Sequence, residues 1–464
     1  MSEKTYDYII IGSGSSGGVA AFVLQQAGAK CLLLESGTYY TKKDFPMPEA
    51  DYTPRMFWGG GAEFNKDYSL AFLRGKCIGG GSVINGALMD RFDDVALNDF
   101  KNDSGVGYFT EDALDANYRF AEENIGLETI KDEHRNTNAQ LFIKGMEKCG
   151  YTWKPLRRCQ NNCGTDEGND CICCLGGCHR GSKQSTLETY VPRAEALGLD
   201  VRAQVHIDKI SRRNGGYVLR GTERGVAAEF SAPKVILAAG AFGTTQLLLH
   251  SGFGKGLPAL GQKFSMHPQF MNFAVFDEPV DAHKGVLQGV KSLDPGFRKR
   301  GFKLENVFAP PISVAVLFEQ VGPKLYEFMR KYRHFACIEV AVRDENLGTL
   351  QVTSKGKLVV DKHLSDQDWR RTNDGRGVVK EMFSSLGAKE IIQCPFGFGL
   401  HLMGGCRIGT DGAKAVVDPE FQVHGFPGLY CADSAIFPNA PGINPALTVM
   451  ALTHRMAAQL AAKG

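Results

Sequence analysis

The chain lacks any excess of one charge. Its 464 residues carry 53 Lys and Arg against 51 Asp and Glu. That balance excludes both the basic surface of a nucleic-acid binder and the acidic excess of a solvated tail. No segment reaches the ~18 uninterrupted apolar residues of a membrane span. The N-terminal stretch MSEKTYDYIIIGSGSSGG also lacks the basic region, apolar core and cleavage site of a secretion signal. The thirteen cysteines are therefore expected to be reduced thiols in a cytoplasmic protein. Apolar residues make up 43% and charged residues 22%, an ordinary globular composition, and the length calls for two or more domains. Glycine is abundant instead. Its 55 residues cluster in short loops, as expected where backbone must approach a ligand closely.

The first such loop lies in YDYIIIGSGSSGGVAAFVLQQAG. Tyr8 to Ile11 form an apolar run that reads as a parallel strand covered on both faces. Gly12, Gly14 and Gly17 follow in G-x-G-x-x-G spacing and open a helix. Gly12 permits the tight turn, Gly14 lets backbone meet a pyrophosphate, and Gly17 lets the helix pack on the strand. The helix N-terminus offers free N–H groups to the phosphates. A second strand, KCLLLESG, ends in Glu35, whose carboxylate can accept the ribose hydroxyls and repel a 2′-phosphate. These features specify a dinucleotide without choosing between NAD and FAD.

Three further segments bear on that choice. RGKCIGGGSVINGALMDR, Arg74 to Arg91, is a second glycine loop in which Asn85 could hydrogen-bond a flat ring system. APKVILAAGAFGTTQLLLHSG is another strand, turn and helix. The C-terminal GLYCADSAIFPNAPGINPALTVMALTHRMAAQLA ends in a helix starting near Pro445, with Val449, Leu452, Met456 and Leu460 forming one buried stripe. Together these segments resemble the glucose–methanol–choline (GMC) family of FAD-dependent alcohol oxidoreductases. GKCIGGGSVIN is similar to its G-x-x-L-G-G-S-S-x-x-N signature, with Ile78 for Leu and Gly81 for Ser. HLMGGCRIG and the residues from Val416 onward follow its final block.

The resemblance implies an α/β fold: a Rossmann-like FAD-binding domain and a substrate domain built on an antiparallel sheet. The FAD domain would take residues 1–100, 195–270 and 395–464, and the substrate domain 101–194 and 271–394. FAD would meet Gly12, Gly14, Ser15, Ser16, Gly17, Glu35, Gly79, Gly80, Ser82, Asn85, Val205, Ala432, Asp433 and Pro445. The family passes hydride from an alcohol carbon to flavin N5 while a nearby base takes the hydroxyl proton. His401 matches the base and Asn444 its partner, which cannot titrate and would hold the alcohol oxygen. His267 and His424 also match family positions and read as scaffold. Cys406 and Cys431 read as packing residues. The apolar stretch Val307 to Tyr332 reads mainly as core, with a pocket wall or capping helix as the alternative, and the loop from Phe45 could gate access. An apolar or aromatic alcohol is favoured over a sugar.

A cysteine-rich loop spans 159–185 and puts five cysteines between Cys163 and Cys178. Cys174-Leu-Gly-Gly-Cys178 followed by Gly181 is similar to the stretch that holds an iron–sulfur cluster in bacterial FAD glucose and fructose dehydrogenases of the same family. It also resembles a segment of long-chain alcohol oxidases, where no cluster is implied. Cys171, Cys173, Cys174 and Cys178 are the expected ligands, with Cys163 as a further candidate and zinc as the alternative metal. A cluster there would make the protein a dehydrogenase that hands electrons to an acceptor protein or quinone. Without one, it would be an oxidase using oxygen, and a non-catalytic redox or metal-binding module is a third reading.

Overall fold

Tyr8–Ile11 is buried along its whole length because strands flank it on both sides. The structure, a computed structural model, describes residues 5–46, 48–161, 163, 174–213, 215–318, 320–345 and 347–463. Five parallel strands form the first sheet, in the order Leu429–Cys431, Lys234–Leu237, Tyr8–Ile11, Cys31–Glu35 and Asp200–Ala203. Tyr8–Ile11 is central, and the chain leaves it to one side first and to the other later. Gly12 therefore sits at the switch point of the sheet, where doubly wound folds bind ligands. Helix Ser15–Gln26 packs beside the last helix, Ala446–Ala462. The expected stripe of Val449, Leu452, Met456 and Leu460 is buried there. A three-stranded antiparallel sheet, Val205–Arg213, Gly216–Glu223 and Val226–Ala232, lies between the strands Asp200–Ala203 and Lys234–Leu237 in the chain.

The second large sheet has nine strands, and all but one of its pairings are antiparallel. At its centre Ser265–Val275 pairs with Gly397–Met403 on one side and Phe335–Val342 on the other, and Phe302–Asn306 follows. Ser265–Val275 runs across the domain boundary expected at 270. The sequence FACIEVAV, 335–342, is buried at every position because both faces of the sheet are covered. One face carries helix Asp366–Ser385, where Gly375 makes room for Val340. The opposite face looks into the cavity between this sheet and the parallel one. Alternation along the strands then decides which side chains reach that cavity.

Candidate active site

A single cavity of about 1150 Å³ runs from the first glycine turn to the face of the antiparallel sheet. Gly12, Gly14, Ser15, Ser16, Glu35 and Val205 line one end of it, and Gly80, Asn85, Asp433 and Pro445 the stretch beyond. Gly17, Gly79, Ser82 and Ala432 do not line it. They build its wall. A Cβ on Gly17 would lie 1.8 Å from the Gly12 carbonyl oxygen, so helix and turn close only on glycine. The Ser82 hydroxyl donates to the Gly79 carbonyl at 2.6 Å, and the Ala432 carbonyl accepts from Thr453 Oγ1 at 3.1 Å.

The shape fits FAD. Gly12 has φ of 98°, and no side chain caps the helix at Gly14, which leaves its N-terminus open to phosphate. Gly80 stands back to back with Gly14, where a Cβ would come within 3.1 Å of the Gly14 Cα. Glu35 is held by Ser13 Oγ at 2.8 Å and by the Gly37 N–H at 2.9 Å. Burial pushes its pKa up while those donors pull it down. Asp433 is fully engaged by protein: Oδ2 accepts from Gly240 N and Thr244 Oγ1, and Oδ1 from Ala435 N. It ties the helix Gly240–His250 to the chain beside the cavity.

His401 and Asn444 face the same cavity. His401 sits at φ of 56°, a left-handed conformation that is strained for a side chain of its size. The pairing of Ser265–Val275 with Gly397–Met403 slips between Ser265 and His267, a local irregularity of the kind that re-aims side chains. It brings His267 Nδ1 to 2.9 Å from His401 Nδ1. The Gly442 N–H donates to His267 Nε2 at 2.8 Å. A neutral His267 therefore carries its proton on Nδ1 and donates it to His401 Nδ1. A neutral His401 must then carry its own proton on Nε2. Both rings stay neutral: burial brings the His401 pKa down to about 3, helped by the charge of Lys303, and drives His267 well below the imidazole range. His401, the expected base, thus has Nδ1 engaged by His267 and Nε2 left for the cavity, with the proton on Nε2 in this tautomer. Asn444 is a donor for a similar reason. Its Oδ1 accepts from Lys303 Nζ, which leaves the Nδ2 hydrogens for the cavity.

His267, which reads as scaffold in the sequence, belongs to this cluster, and so do Lys303, Glu305 and Glu339, which carry no motif. Lys303 Nζ bridges Asn444 to Glu305 Oε1, the latter at 2.5 Å. Glu305 and Glu339 lie directly opposite each other in neighbouring strands, are buried, and line the cavity. A carboxylate inside FACIEVAV is the signal that could have found them, because a buried charge in an apolar strand needs a reason.

The wall beyond is apolar. Met271, Phe273, Val307, Phe308 and Leu317 line it. The stretch from Val307 thus contributes wall as well as core, and the loop from Phe45 reaches the cavity through Tyr52 and Thr53. Cys174 also lies in the wall. No cluster of side chains able to hold a metal ion is found among the described residues. Cys174 and Cys178 are free thiols, and Cys171 and Cys173 lie outside the described residues. Buried Lys183 pins this segment by donating to the carbonyls of Val83, Asn85 and Cys174. Cys406 and Cys431 are fully buried, and His424 bonds the Gly409 carbonyl at 3.1 Å.

The profile of the GMC oxidoreductase N-terminal region matches residues 6–269, and that of the C-terminal region matches 351–453. The chain belongs to the GMC oxidoreductases. The family makes it an FAD-dependent oxidoreductase acting on CH–OH donors. Among curated relatives, an uncharacterized GMC-type oxidoreductase of Sinorhizobium fredii is 27% identical, over 97% of this chain and 94% of its own. Long-chain-alcohol oxidase FAO4B of Arabidopsis thaliana is 26% identical, over 98% of this chain and 67% of its own. Among solved structures, a formate oxidase superposes with a TM-score of 0.77 at 15% identity, covering 100% of this chain and 99% of the other. Pyridoxine 4-oxidase from Mesorbium loti gives 0.71 at 15%, covering 98% and 99%. These two share the fold.

Proposed function

We propose that this GMC oxidoreductase oxidises an apolar alcohol, with His401 and Asn444 holding the alcohol oxygen. The observation that carries the reading is the pair of donors, His401 Nε2–H and Asn444 Nδ2, facing one cavity with an apolar wall. Bound FAD supplies the hydride acceptor, its N5 atom. The chain supplies everything around the reacting carbon. Gly12, Gly14 and Glu35 hold the nucleotide, the two donors fix the oxygen, and Met271, Phe273 and Phe308 exclude water. Donors set in a water-free site stabilise negative charge that develops on oxygen as hydride leaves carbon. The likeness to long-chain-alcohol oxidases agrees with an apolar substrate.

Two acceptors are compatible with this site, and one observation favours each. The resemblance to long-chain-alcohol oxidases supports oxygen. Cys174 in the cavity wall supports a dehydrogenase, with an iron–sulfur cluster on Cys174, Cys178 and further thiols passing electrons to a protein or quinone. Iron and acid-labile sulfide in anaerobically purified protein, with faster reoxidation by an artificial acceptor than by air, establishes the dehydrogenase. Fast reoxidation in air without iron establishes the oxidase. A colourless protein without flavin overturns the proposal altogether.

A further inference from the structure

The side chain of Asn444 lies in the cavity wall just ahead of the last helix, and the residue is 5% exposed. Its amide has two ends of similar size, one an acceptor and the other a donor, and turning it over exchanges them. The Asn χ2 torsion is broad and roughly two-fold, so the backbone alone does not choose between the ends. Among the described residues the amide has one hydrogen-bond partner, the Lys303 ammonium. An ammonium has three donors and no acceptor, so the amide atom that touches it is Oδ1. The Nδ2 hydrogens are thereby left for the cavity.

Selection of this kind needs a lysine that is charged and held still. Lys303 and Glu305 are two apart in the strand Phe302–Asn306, so their side chains leave the same face. Glu305 lines the cavity and Lys303 does not, so the ammonium stands behind the wall and acts on the site through its partners. Glu305 Oε1 accepts from Lys303 Nζ at 2.5 Å, and Glu305 Oε2 accepts from Gln288 Nε2 at 3.4 Å. The carboxylate is therefore fixed on one side and anchors the ammonium on the other. Burial pulls the Lys303 pKa down, but Glu305, Glu339 and Asp90 push it up by more, although Asp90 also faces Lys291 and Lys154. Lys303 stays an ammonium. A neutral amine would carry a lone pair and could meet either end of the amide.

Resting on the alcohol-oxidation reading above, we infer that Lys303 is a positioning residue of this site, which fixes the Asn444 amide with its N–H end towards the alcohol oxygen. The opposite orientation shows what this prevents. A turned amide offers Oδ1 to the alcohol, binds the hydroxyl hydrogen and leaves the oxygen one donor short. As hydride leaves carbon, negative charge develops on that oxygen, and a carbonyl dipole pointed at it opposes the charge. Lys303 removes that orientation before the substrate arrives, so the donor's alignment does not have to be gained during the reaction.

The experiment is a double-mutant cycle on anaerobic flavin reduction by a long-chain primary alcohol, followed by stopped flow. It compares wild type, Lys303→Met, Asn444→Ala and Lys303→Met/Asn444→Ala, with bound FAD confirmed from the visible spectrum. We expect Asn444→Ala to slow the reduction step about 10²–10³-fold, the cost of one lost donor. Lys303→Met should slow it about 10²-fold, the cost of a misplaced group. The double variant should be no slower than Asn444→Ala, because Lys303 then has no amide to orient. Two results overturn the inference. One is a Lys303→Met enzyme that reduces at the wild-type rate. The other is a double variant slowed by the product of the single factors, which means that the ammonium acts through its charge or through the fold. Should Lys303→Met fail to bind FAD, the same cycle in a Glu305→Gln background, where no carboxylate is left bare, decides by the same outcomes. A wild-type enzyme that no alcohol reduces, or an Asn444→Ala enzyme at the wild-type rate, overturns the alcohol reading itself, which keeps the two failures apart.

Discussion

In the proposed reaction, replacing His401 by Ala removes one of the two groups at the alcohol oxygen while Gly12, Gly14 and Glu35 stay in place. Flavin reduction should fall roughly 10²–10³-fold, the cost of one lost donor at a developing oxyanion. Stopped-flow reduction of the FAD-replete variant measures this. The neighbouring histidines make a second prediction. Both have pKa values lowered in the fold, so the unfolded chain takes up protons below about pH 6.5 that the folded pair refuses. Stability should therefore drop as pH falls from about 7 to 5, and less so in a His267→Gln/His401→Gln variant, as melting temperature against pH will show. Nitrogen NMR of the wild type should find His401 protonated on Nε2 throughout that range. At the other end of the cavity, Glu35→Ala deletes a ribose acceptor and leaves the Gly37 and Ser13 donors unpaired. It should weaken FAD retention by about 1.5–3 kcal/mol, read from the flavin remaining after gel filtration.

Single elements explain what was readable from sequence. The first strand, turn and helix were legible to the residue because their signal is local: an apolar run, glycines at fixed offsets, then a helical repeat. The final helix was legible for the same reason. The acid pair was not, because Glu305 and Glu339 meet only through the register of two strands whose chain separation carries no periodic signal. The His401 tautomer was equally hidden, since it depends on a backbone N–H at Gly442 and a slip in strand pairing. His401 and Asn444 came from resemblance, which supplied positions and a role but not the direction of their hydrogen bonds. Asp433 tests the element scale directly. Its carboxylate caps the first turn of helix Gly240–His250 and the turn Ser434–Ile436, so Asp433→Ala should cost about 1–3 kcal/mol in urea unfolding.

For the whole molecule, the site exists because two sheets meet. The parallel sheet brings the nucleotide-binding turn, the antiparallel sheet brings the polar residues that face it, and the last helix delivers Asn444 to the seam. The first glycine turn and the polar residues around His401 thus come from different sheets, and the cavity is where they converge. Among the described residues no helix is long and apolar enough to cross a membrane. The measurement that tests the account most directly is an anaerobic titration of the purified, FAD-loaded enzyme with a long-chain primary alcohol. The account predicts stoichiometric bleaching of the flavin's visible absorbance, with one carbonyl product formed per flavin reduced. Flavin that stays oxidised with every alcohol offered, apolar or polar, would contradict it.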